Sequence, residues 1–142
     1  VKSKKVSEMK KRVTIVIIFL IAWLILSVKS FNNIIDYDND GINIIKSRHP
    51  GDGRLYVTED KELIDMFISM MEQSKYFRFI ETNEEVGSAT YRLFSDDEEI
   101  ISIDFSKENR INFDEKHYIT INDIENEKIS FYNSFWTEEN VK

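Results

Sequence analysis

The hydrophobic pattern along the chain changes period three times, and each change predicts a different element. Val13 to Val28 (VTIVIIFLIAWLILSV) is apolar at every phase, sixteen residues without a charge. As a helix it rises about 1.5 Å per residue to roughly 24 Å, against a hydrocarbon core of ~30 Å. The methylene stems of Lys11, Arg12 and Lys29 extend that length to the interface, so the run reads as a transmembrane helix. Later, Leu63, Met66, Phe67 and Met70 recur at i, i+3, i+4 and i+7, which predicts an amphipathic helix after a Thr58 cap. From Ala89 the period drops to two. Four strands follow at hairpin spacing: Ala89 to Phe94, Ile100 to Phe105, Arg110 to Phe113 and His117 to Asn122. Their connections are too short for parallel crossovers, so the strands form an antiparallel meander.

Alternation assigns Tyr91, Leu93, Ile101, Ile103, Phe105, Ile111, Phe113, Ile119 and Ile121 to the core face. The opposite face then carries Arg92, Phe94, Arg110 and Tyr118, the arginine and aromatic types that dominate protein contacts, and these four are the candidate partner-binding residues. A last helix repeats Ile124, Lys128, Phe131, Tyr132 and Phe135. Between anchor and meander, Ile34 to Tyr37 and Ile42 to Ile45 flank Asp38-Asn39-Asp40-Gly41 as a β-hairpin, Ser47 to Arg54 is a loop holding His49, and Leu55 to Val57 and Tyr76 to Ile80 add strands. Glu81 to Gly87 reads as an acidic loop.

The fold class is therefore α+β: an N-terminal transmembrane helix, then an antiparallel β-meander packed against one or two amphipathic helices. The segments are a basic stub (1–12), the anchor (13–28), a short polar link (29–33), the α+β domain (34–136) and a tail (137–142). The alternative to a retained anchor is secretion after cleavage following Ser30.

Charge adds an orientation. Six cations against Glu8 precede the apolar run, which places the N-terminus in the cytoplasm and the domain outside. Residues 29–142 hold thirteen cations against twenty-five carboxylates, net −12, which repels nucleic acid and anionic headgroups and steers a basic protein partner. Zero Cys removes disulfides and thiolate chemistry.

Catalytic motifs are absent: there is no G-x-S-x-G elbow, no H-E-x-x-H pair and no phosphate loop, so neither an enzyme nor a cofactor is expected. Asp36, Asp38, Asp40 and Gly41 match the opening of a calcium loop, whose alternate carboxylates converge on one cation. The pattern fails further on, where Asn43 and Ser47 stand in place of an apolar residue and a bidentate Glu, and the turn reading is preferred.

The order of basic stub, single apolar segment, LYVTEDKELIDMFISMMEQSKY, GSATYRLFSDDEEIISIDF, RINFDEKHYITIN and a terminal aromatic helix resembles small single-pass extracytoplasmic domains of unknown function from low-GC Gram-positive bacteria. A weaker similarity, in size class, topology and acidity, is to membrane-anchored toxin-immunity proteins. The resemblance implies a membrane address and an α+β fold. The expected function is a non-catalytic binding or accessory domain that engages a protein at the outer face of the membrane. Its alternatives are an immunity-type inhibitor of a cationic toxin and a calcium-dependent surface module.

Overall fold

The computed structural model describes residues 2–35, 41–79, 89–107 and 109–142. A long helix α1 (Lys2–Ser27) leads into β1 (Val28–Ser30), α2 (Phe31–Ile35), β2 (Ile44–Arg48), β3 (Leu55–Thr58) and α3 (Lys61–Gln73). β4 (Lys75–Arg78), β5 (Thr90–Ser95), β6 (Glu98–Lys107), β7 (Arg110–Phe113), β8 (Lys116–Thr120) and α4 (Glu125–Phe135) complete the chain. The strands form one antiparallel sheet in the order β1-β4-β8-β7-β6-β5-β2-β3, so the fold is α+β.

The meander forms because each strand alternates apolar and polar residues and each turn is short. Asp96, Asp114 and Glu115 supply the positive φ values of the turns at 52°, 46° and 67°. α2, α3 and α4 cover one face of the sheet with the buried side chains of Phe31, Phe67, Met71, Phe131 and Phe135. α3 begins where the Asp60 carboxylate accepts from the Glu62 amide at 2.9 Å, two residues after the expected Thr58 cap; Thr58 Oγ1 instead accepts from the Asp60 amide. α4 closes the core with Ile124, Lys128, Phe131 and Phe135, and Lys128 keeps its charge paired with Glu125.

Several expectations change. The first arm of the expected hairpin is helical, because Ile34 and Ile35 belong to α2. The polar link at 29–33 is β1 and the start of α2, with Val28 opposite Phe77, so helix passes to sheet without a spacer. The tail is not free, since Val141 bridges Tyr56 and the Lys142 amide donates to Leu55 O at 3.0 Å, covering the β3 edge. Asp36, Asp38, Asp40 and the acidic loop Glu81 to Gly87 lie outside the described residues.

The largest change is in β8. Tyr118 is buried against Phe113 on the core side, with ring centroids 5.3 Å apart, whereas Ile121 is 57% exposed. The cause is the length of the turn. Lys116 pairs with Phe113 and leaves a two-residue turn at Asp114-Glu115, so Ile111 faces Tyr118 and Asn112 faces His117. One residue of slip exchanges the two faces of a strand. Tyr118 is thus a core residue and not part of a partner-binding face.

Among the described residues no helix is long and apolar enough to cross a membrane. The charge-free part of α1, from Val13 to the end of the helix at Ser27, rises about 22 Å at ~1.5 Å per residue, because Val28 is already strand. The expected transmembrane helix is to that extent unsupported.

Candidate functional site

The sheet face turned away from α2, α3 and α4 holds two clusters on opposite halves. The first is built by the pairing of β2 with β5, which sets Lys46 directly across from Arg92. Arg48 follows two residues later on the same face, opposite Leu55 of β3. These residues, with Ser47 and Thr90, line a cleft of about 420 Å³. Phe94 lies beneath the cations. It is buried yet stands outside the core cluster, with Lys46 Nζ 4.2 Å and the Arg92 guanidinium 5.6 Å from its ring centroid.

Like charges directly opposed across a strand pair are destabilising. Arg92 is relieved by Glu99, whose Oε1 accepts from Nε at 3.0 Å while Oε2 meets Nη2, and this bidentate pairing raises the Arg92 pKa. Arg48 donates to Gly53 O at 3.2 Å, and Lys46 turns its ammonium onto the Phe94 ring. Ser47 anchors the floor of the cleft from the core side through its hydroxyl, 2.7 Å from Thr90 O. The cleft therefore presents three cations, two of them packed against Phe94, in a domain whose overall charge is strongly negative.

The second cluster lies on β1, β4, β8 and β7. Phe77 stands across from Val28 on one side and Ile119 on the other, and Ile119 stands across from Arg110. Arg110 is 5.6 Å from the Phe79 ring centroid, Phe79 touches the His117 ring, and Asn112 Oδ1 lies 2.8 Å from His117 Nδ1. Trp23 of α1 packs edge-on against Phe77 with centroids 6.4 Å apart.

The structure thus brings Arg92 and Phe94 together, leaves Arg110 two strands away on β7, and sends Tyr118 to the other face. Lys46 and Arg48 were missed. Their alternation in IIKSR extends the β2 pattern past Ile45 and was the available signal. His49 is no plain loop residue. Its ring packs edge-on to Trp136 at 4.9 Å and its Nδ1 accepts from the Gly51 amide at 3.1 Å.

A further cleft of about 460 Å³ lies between Asn109, Thr120, Ile121 and the start of α4. Among the described residues no three His, Asp or Glu side chains are placed to hold a metal ion. Comparison with protein-family models, with curated proteins and with solved structures gives no match.

Proposed function

We propose that the protein is a membrane-held, non-catalytic binding module whose contact surface is the Lys46, Arg48 and Arg92 cleft. The membrane part rests on α1. From Val6 to Leu26 its side chains are exposed all round, including Phe19 at 71%, Ile25 at 67% and Leu26 at 80%. A helix apolar on every side does not stand in water, since monomers rarely leave more than about 300–600 Å² of contiguous apolar surface uncovered. Thr14 and Ser27 return their hydroxyls to Lys10 O and Trp23 O at 3.0 and 2.7 Å, so no hydroxyl proton of the run is left without an acceptor. The shortfall in length is met by the stems of Lys10, Lys11 and Arg12 below, by Val28 above, and by local thinning of the bilayer.

The observation that carries the binding part is the opposition of Lys46 and Arg92 over buried Phe94 at an open cleft. With Glu99 already paired to Arg92, an anionic group from a partner would meet Lys46 and Arg48 and gain a charge-assisted contact. In-cell cross-linking tests it. A partner captured by the native protein and lost from Lys46→Glu/Arg48→Glu, with melting temperature unchanged, supports this reading; equal capture overturns it. Equal capture that collapses with added salt favours the alternative, a cationic toxin steered by the net charge of −12 on residues 29–142.

A further inference from the structure

The strands at one end of the sheet hold none of the domain's carboxylates. β1, β4, β7 and β8 read VKS, KYFR, RINF and KHYIT, five cations without a carboxylate, of which Lys75 and Arg110 lie on the outer face, whereas the domain as a whole carries almost twice as many acids as bases. The outer face of these same strands carries Phe77, Ile119 and Phe79, and Ile121 is exposed just past β8. This strip joins α1 without a break, because Trp23 lies on Phe77 and Val28 pairs with it. Ser27 ends the helix and Val28 begins the strand, so no linker lets the domain stand off from whatever surrounds α1.

We infer that this half-face, centred on Phe77 and Ile119 and carrying Lys75 and Arg110 beside them, lies on the headgroup region of an anionic phospholipid bilayer. The inference rests on the insertion of α1 proposed above. Aromatic and aliphatic side chains enter the interface while lysine and arginine stems reach lipid phosphates. It reverses the expectation from net charge that anionic headgroups are repelled, because screening over about 8–10 Å makes the local cations count and not the distant acids. The sheet's twist separates this surface from the cleft. Five strand steps lead from β4 to β2. At roughly 20–25° per step the Lys46 end is turned by about 100° or more, away from the plane that β4 faces.

The chain has no native Cys, so single-Cys variants of the full-length protein report one position each. A fluorophore is placed at Phe19→Cys in α1, at Ile119→Cys and Ile121→Cys on the strip, and at Met66→Cys on α3, whose side chain is 41% exposed. Each is reconstituted into vesicles of phosphatidylcholine and phosphatidylglycerol containing brominated lipid. Labels at 19, 119 and 121 should lose about half of their fluorescence or more, and the label at 66 should lose none. Introducing Lys75→Glu/Arg110→Glu should restore the signal at 119 and 121 while leaving 19 quenched.

Quenching at 19 without quenching at 119 and 121 overturns the surface assignment and leaves the anchor standing. Failure at 19 overturns the anchor reading itself. Quenching at 119 and 121 that persists undiminished in the double variant overturns the electrostatic part.

Discussion

Tyr91 is the residue around which the core is packed, and its two ends have opposite fortunes. Its ring lies within 6.0 Å, centroid to centroid, of Phe67, Phe105, Phe131, Tyr132, Phe135 and Trp136. Its hydroxyl is buried without a hydrogen bond of acceptable geometry, although Tyr132 and Trp136 stand beside it. Tyr76 differs, because its hydroxyl donates to Met71 O at 2.6 Å. Removing an orphaned buried hydroxyl relieves a desolvation cost, whereas removing a bonded one strands its acceptor. Tyr91→Phe should therefore leave stability unchanged or raise it by up to about 1 kcal/mol, and Tyr76→Phe should lower it by about 1–2 kcal/mol. Urea denaturation of the two variants decides this; a larger loss for Tyr91→Phe would show that its hydroxyl is bonded after all.

At the scale of elements, the turn between β7 and β8 sets which side chains reach the core. Asp114 and Glu115 both have positive φ, the conformation that a two-residue hairpin turn needs and that Asn-Gly or Asp-Gly adopts most readily. Glu115 carries a Cβ where glycine has none, so Glu115→Gly should stabilise the domain by up to about 1 kcal/mol, read as a rise of a few degrees in melting temperature. A fall would mean that the Glu115 side chain contributes more than its backbone costs. The same turn explains what the sequence could and could not show. The meander was legible because alternation and short connections are local. The phase of β8 was not, since a two- or three-residue turn fits the letters Asp114-Glu115-Lys116 and only one leaves Tyr118 in the core. Arg92 and Phe94 were legible as an outward pair. Lys46 becomes their neighbour only through pairing between strands more than forty residues apart, which no local pattern encodes. β1 was hidden for the same reason: VKS is three unremarkable residues until β4 pairs with them.

For the molecule as a whole, three tyrosines link fold stability to alkali. Burial raises the hydroxyl pKa of Tyr76 and Tyr91 and pushes Tyr132 up to about 12. Below pH ~10 both folded and unfolded chains keep these groups protonated, and their contribution to stability is complete. Above it the unfolded chain ionises first, so stability should fall by up to about 1.4 kcal/mol per pH unit per tyrosine, until the pH passes each folded pKa. Thermal melts should be flat from about pH 7 to 9 and drop beyond about 10. Phenolate absorbance from more than three of the chain's six tyrosines while the protein is still fully folded would contradict the burial argument. The junction of α1 with β1 has a mechanical side as well. Any tension on the helix reaches the domain through three residue pairs, Val28 with Phe77, Lys29 with Tyr76 and Ser30 with Lys75. Such an attachment is stiff in direction and weak in strength: a steady pull would peel the edge strand from its neighbour and lengthen the chain by a few residues while the packed interior stays intact, so that the end of the sheet serves as a fuse that yields before the core does.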